Sequence, residues 1–184
     1  MFYTQKRSGI IKAKGFGLFH IYYGQGVGKT TRAIGLAIRA AGEGARVDFV
    51  QFLKSGNSSE VNIFEKIENI HYRCPGKHPF IMPRGTQHIH HRHAEQAYQA
   101  AIDAIDHDCQ LLICDEILDT ILFDLLNQEQ LLDLVNRCRG RVELVMTGRN
   151  APSALIKAAD YVTELVQIKH PYYQGARARK GIEY

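Results

Sequence analysis

The chain reads as an α/β protein with a mostly parallel sheet of about six strands, on three observations. Short β-rich runs alternate with helical stretches from residue 16 onward. One run, Leu111–Cys114, is continuously apolar, as in strands buried on both faces of a parallel sheet. A glycine loop ending in Gly28-Lys29-Thr30 joins the first strand to the first helix.

In order, residues 1–15 are polar and basic and read as a flexible arm, with residues 16–184 as the domain. Phe16–Tyr23 is the first strand. The helix after the glycine loop would bury Ala33, Ile34, Ala37, Ile38 and Ala41, with Gly42 or Gly44 to stop it. Val47–Leu53 is a second strand and Ile70–Arg73 a weaker third. Ala94, Ala97, Tyr98, Ala101, Ile102 and Ile105 recur at helical spacing and give one apolar face. Leu111–Asp115, Val142–Thr147 and Tyr161–Ile168 complete the strands. Gln128–Arg137 and Pro152–Ala159 are short helices, the latter with Pro at its start. Cys74–His93 breaks the rhythm, with three of the five prolines and five of the nine histidines. It reads as a long functional loop, the natural place for a substrate.

Composition narrows the function classes. At 184 residues the chain suits one domain with a real core, and 45% hydrophobic residues exclude wholesale disorder. No run approaches the ~20 apolar residues of a membrane span. The basic N-terminus lacks the apolar centre of a signal peptide, so a cytoplasmic location is expected. The four cysteines show no scaffold spacing, and disulfides are not expected. A net charge of +4 suits anionic small molecules and does not by itself argue for nucleic acid.

The strongest chemical signal is Gly24-Gln25-Gly26-Val27-Gly28-Lys29-Thr30-Thr31. Strand, glycine loop and helix in that order are the context of a phosphate-binding P-loop. Its backbone N–H groups face phosphate oxygens at the positive end of a helix. Lys29 supplies charge for the phosphate chain and Thr30 a hydroxyl for Mg²⁺. The loop is one residue short of the G-x-x-x-x-G-K-[ST] template, whose first glycine would fall at Tyr23. Ordinary nucleotide hydrolysis is therefore not the automatic reading.

Asp115 and Glu116 end the apolar run. On a strand beside the P-loop strand, Asp115 would hold Mg²⁺ directly or through water. For Glu116 the residues leave three roles open: orienting a water, holding a second ion, or contacting a ribose. Cys114 reads as a buried small side chain. Arg149 follows the fifth strand and Lys54 the second, at the sheet edge where α/β proteins bind ligands. Each is a phosphate clamp or a surface charge.

These residues resemble the ATP:corrinoid adenosyltransferase family of the CobA/CobO/BtuR type over roughly Gly17–Tyr184. The matching pieces are the short Gly24–Thr31 loop, Val50–Lys54 (VQFLK), the Asp115-Glu116 pair and Thr147-Gly148-Arg149. A discriminating tail joins them: Ala159–Leu165 (ADYVTEL), Lys169-His170 and Gly181-Ile182-Glu183-Tyr184. The resemblance implies a single-domain P-loop NTPase-like fold in the RecA-like arrangement, a homodimer, and ATP, Mg²⁺ and a corrinoid as ligands. It implies transfer of the 5′-deoxyadenosyl group of ATP to Co(I), with triphosphate leaving and an electron-donating flavoprotein supplying the reduced corrinoid. Lys29, Glu116 and Arg149 would position the reactants. The family's aromatic Gly-Phe-Thr-Trp segment has no counterpart here; Phe80 and Met82 stand in that region as the expected apolar packing for the corrin ring. His88 and His170 are further expected corrinoid contacts.

Several readings stay open on the residues alone. His88, His90, His91 and His93 could form a solvated polar loop, touch the corrinoid, or bind metal, although paired zinc spacing is missing. Lys169-His170 could equally end a strand, and Arg177, Arg179 and Lys180 read as a solvated charged face. The alternatives to adenosyl transfer are a P-loop ATPase or nucleoside kinase, and a non-catalytic corrinoid or metal carrier. Neither nucleic acid nor membrane is an expected partner.

Overall fold

The computed structural model describes residues 15–75, 81 and 85–183. Six strands, β1 (Phe19–Tyr23), β2 (Val47–Gln51), β3 (Ile70–Arg73), β4 (Leu111–Asp115), β5 (Glu143–Gly148) and β6 (Tyr161–Glu164), form one sheet in the order β3-β2-β4-β5-β1-β6. Every pairing is parallel. Parallel neighbours require crossover connections, and helices fill them: α1 (Lys29–Gly42), α2 (Val61–Phe64), α3 (His88–Asp106), α4 (Ile117–Leu122), α5 (Gln128–Cys138) and α6 (Ser153–Ala158). The expected α/β class with a six-stranded parallel sheet is what forms.

Alternation along the strands sorts side chains onto two faces. On one face Val47, Phe49, Leu111, Ile113 and Val145 meet Ala33, Ala37 and Ala41 of α1 and Phe64 of α2. On the other, Ile21, Val50, Leu112, Cys114, Leu144 and Met146 meet α3, α5 and the small helices α4 and α6. All five β4 residues are buried, which explains the continuous apolar run. Alanines at every fourth position let α1 lie close to the sheet, while Ile38, expected inside, is 44% exposed.

Three other expectations need correction, and two short helices were not expected. β4 does not lie beside the P-loop strand, because β5 is inserted between β1 and β4. The histidine run is not loop, since His88–His93 form the first turns of α3. There Gln87 and His90 cap each other's backbone, so a helix begins without the usual Ser, Thr, Asp or Asn. The sixth strand ends at Glu164, short of Ile168, so Lys169-His170 does not end a strand; Val166 and Ile168, which continue the alternation in sequence, are 65% and 85% exposed. Finally, α2 and α4 carry no signal that a periodicity reading detects, being only four and six residues long. Cys109, Cys114 and Cys138 are buried and Cys74 half-buried, with no disulfide among the described residues. Among the described residues no helix is long and apolar enough to cross a membrane.

Candidate active site

The phosphate loop is shaped by the strand beside it. β6 pairs with β1, and beyond its end Leu165 donates its N–H to the Tyr23 carbonyl and accepts the Gly26 N–H at 2.7 Å. Gly24 sits at φ 116°, where a side chain is strained. A Cβ on Gly26 would lie 2.7 Å from the Leu165 carbonyl oxygen, so only glycine permits this approach. The Lys29 ammonium is folded back onto the loop, donating to the Gly24 and Gly26 carbonyls at 2.7 and 2.8 Å. Burial lowers its pKa, which the Asp119 carboxylate partly offsets. Val27 stands 70% exposed at the loop's tip.

Asp115 is the hub of the site. It is fully buried at the end of β4, between Gln51 of β2 and Thr147 of β5. Thr147 donates its hydroxyl to Asp115 at 2.8 Å and accepts the Glu116 N–H. Gln51 donates to Asp115 at 3.3 Å and to Glu60 at 3.2 Å, and its carbonyl accepts the Tyr72 hydroxyl at 2.7 Å. Thr30, at the start of α1, donates to both Asp115 oxygens at 3.0 and 3.2 Å. The intervening β5 therefore does not separate the P-loop hydroxyl from the carboxylate. Lys54 places its ammonium 3.0 Å from Asp115 and 3.8 Å from Glu116.

Glu116 turns the chain from β4 into α4 in a left-handed conformation, φ 64° and ψ 13°. Burial pushes its carboxyl up to about 7, against the opposing pull of Lys54. One turn on, Asp119 is 4% exposed and accepts the Arg149 N–H at 2.7 Å; the Arg149 guanidinium lies 3.8 Å from its other oxygen. Burial also raises the Asp119 pKa, although the Arg149 amide and guanidinium oppose it.

The structure thus gathers Gly24, Gln25, Gly26, Val27, Gly28, Lys29, Thr30 and Thr31 in one loop and helix start, with Asp115 and Lys54 joined to Thr30 and Glu116 to Lys54. Arg149 joins through Asp119. His88 is exposed at the start of α3, and His170 caps a 3-10 turn (Pro171–Gln174) by accepting the Tyr172 N–H. Among the described residues neither bonds to the loop or the acidic pair. Phe80, Met82 and Tyr184 lie outside the described residues. Sequence reasoning missed Asp119 and gave no role of their own to Thr147 and Gln51, although both fall in the matching segments. The signal for Asp119 was its place one helical turn after the acidic pair; Thr147 and Gln51 end strands flanking Asp115. Among the described residues no group of three His, Cys, Asp or Glu is arranged to hold a metal. A cavity of about 310 Å³ lined by Phe16, Leu36, Ala40, Leu111 and Glu143 opens where β4 and β5 begin, at the far edge of the sheet from this chemistry.

A glycine loop between β1 and α1 of a parallel sheet, with its lysine, its hydroxyl and a buried aspartate, defines a P-loop nucleotide-binding protein. Comparison with known proteins goes further. The family model described as ATP:corrinoid adenosyltransferase BtuR/CobO/CobP matches residues 15–184, and the chain belongs to that family. The corrinoid adenosyltransferase of Pseudomonas aeruginosa is 31% identical over 171 residues, covering 91% of this chain and 84% of its own. The corrinoid adenosyltransferase CobA of Salmonella typhimurium is 30% identical, with 91% and 86% covered, and that of Escherichia coli K12 is 29% identical with the same coverage. A solved structure, that of C. elegans PCH-2, overlaps 80% of this chain and 35% of its own at 17% identity with a TM-score of 0.40, too slight to argue from.

Proposed function

We propose that this chain transfers the 5′-deoxyadenosyl group of ATP to the Co(I) centre of a corrinoid, releasing triphosphate. The observation that carries the reading is the meeting of Thr30, Asp115, Glu116 and Lys54 at the mouth of the phosphate loop, in a chain of this family. Co(I) donates its electron pair to C5′ of the ribose, the C5′–O bond breaks, and triphosphate leaves with that bond's electrons. Cobalt ends formally as Co(III). Because the substrate brings its own nucleophile, the protein's task is to hold C5′ in line and stabilise charge on the leaving group. Lys29, freed from the Gly24 and Gly26 carbonyls, and Arg149, held by Asp119, supply positive charge. The loop amides and the start of α1 add theirs.

The residues fit Mg²⁺: Thr30, Asp115 and Glu116 are hard oxygen donors that already surround one cation, the Lys54 ammonium. When bound, Mg²⁺ would add charge neutralisation for the triphosphate. We assign Glu116 to this cation site and to reactant positioning. Phe80, Met82, His88 and His170 remain the corrinoid contacts of this reading.

A cytoplasmic homodimer served by an electron-donating flavoprotein completes the proposal. Ile168, Tyr172, Tyr173 and Ile182, exposed at 85, 70, 78 and 69%, support a surface covered by another copy. The test is anaerobic incubation with ATP, Mg²⁺ and chemically reduced Co(I) cobalamin. The expected result is the optical change of cobalt–carbon bond formation with one triphosphate per adenosyl group. ADP and phosphate as products would favour an ATPase or kinase, and no change with folded protein would overturn the proposal.

A further inference from the structure

Lys54 is held in place more firmly than a mobile phosphate clamp requires. The chain leaves β2 and turns at Leu53, a non-glycine residue at φ 37°. Such backbone persists only where its surroundings enforce it. The Cys74 thiol donates to the Lys54 carbonyl at 3.4 Å, tying the turn to the end of β3. The side chain then crosses to the oxygens expected to take a divalent ion, Asp115 at 3.0 Å, Thr30 at 3.5 Å and Glu116 at 3.8 Å. Only about a fifth of the side chain is exposed, and Asp115 is fully buried, so water screens the pair weakly.

We infer that Lys54 is a built-in competitor for the divalent cation, occupying Thr30, Asp115 and Glu116 until metal and nucleotide arrive together. The inference rests on the cation site proposed above. A free divalent ion must displace the ammonium from Asp115 and Glu116, leaving that charge beside the metal with only the weaker attraction of Glu60 to offset it. When ATP comes with the metal, its phosphates offer the displaced ammonium a new partner. Lys29 stands in the same situation, its charge satisfied by the Gly24 and Gly26 carbonyls. Metal and nucleotide affinities are therefore coupled, and each raises the other by the same factor.

The test titrates Mn²⁺, followed by the loss of its free-ion electron paramagnetic resonance signal, with and without ATP. The wild-type chain is expected to bind Mn²⁺ weakly alone and tightly with ATP. Lys54→Met should bind nucleotide-free Mn²⁺ on the order of tenfold tighter than wild type, within the usual range of coupling between sites. Lys54→Arg, which keeps the charge, should stay weak, and Asp115→Asn added to Lys54→Met should abolish the gain. If Lys54→Met, folded by circular dichroism, loses ATP affinity but binds nucleotide-free Mn²⁺ no tighter than wild type, Lys54 is a phosphate ligand only and the inference is wrong. A gain that survives Asp115→Asn also overturns it, because the ion then sits elsewhere. Wild-type protein that binds ATP yet takes up no Mn²⁺ with it would instead refute the cation site itself, and the inference with it.

Discussion

Replacing Glu116 by Gln isolates the electrostatic cost of the acidic pair. Its carboxyl titrates at about 7 in the folded protein against an ordinary 4.5, chiefly because burial disfavours the charged form, with Asp115 and Asp119 adding repulsion and Lys54 and Arg149 opposing. Between these values the folded chain holds a proton that the unfolded chain has lost. Stability from this group is therefore complete below pH 4.5 and is lost as the pH rises through 7. The span would amount to about 3 kcal/mol at 1.36 kcal/mol per decade. One third of the side chain is exposed, and screening reduces this to on the order of 1–2 kcal/mol. Gln fills the same space and meets the same left-handed backbone, so the comparison isolates charge. Urea unfolding at pH 5 and pH 8, without metal or nucleotide, is the assay. Relative to wild type, Glu116→Gln should gain that 1–2 kcal/mol at pH 8 over pH 5, a midpoint shift of roughly 0.5–1 M. An equal loss of stability between the two pH values in both proteins would refute the reasoning.

Two further outcomes follow from the site. Gly26→Ala drives a methyl group against the Leu165 backbone, which cannot yield like a side chain, so overpacking of about 1–3 kcal/mol should weaken ATP binding on the order of tenfold by calorimetry; unchanged affinity would show that the loop does not need this approach. Asp119→Ala removes the acceptor for the Arg149 amide and should raise KM for ATP severalfold with a smaller effect on kcat, whereas Asp119→Asn keeps the acceptor and should recover most of the loss in steady-state assays.

The parts legible in the sequence are those whose physics is local. The Gly24–Thr31 loop, the buried run before Asp115 and the alanine spacing of α1 carry their signals in consecutive residues. The order of the strands did not, because nothing near β1 indicates that β5 separates it from β4. The Thr30–Asp115 contact formed nonetheless, since α1 carries the hydroxyl across the sheet. α4 went unseen because six residues are too few to show a period, and Asp119 with it. Lys54 was recognisable as a cation near the sheet edge, but its partner depends on the turn at Leu53, a backbone angle that composition does not encode. The alternation of Val166 and Ile168 read as strand because pattern alone does not reveal that no neighbour pairs there among the described residues.

The sheet order also fixes when the nucleotide site can exist. Both neighbours of β1, namely β5 and β6, are encoded far downstream of the loop that β1 carries, and the Leu165 carbonyl that shapes this loop comes later still. On a ribosome, residues 24–31 emerge early but have no strand to lie against and no wall to close on. The phosphate cradle thus takes this shape only once Leu165 lies against it. In the finished protein the same dependence makes nucleotide affinity a sensor of the far end of the chain. Fraying of β6 at the sheet edge would empty the site while β2, β3 and β4 stayed paired.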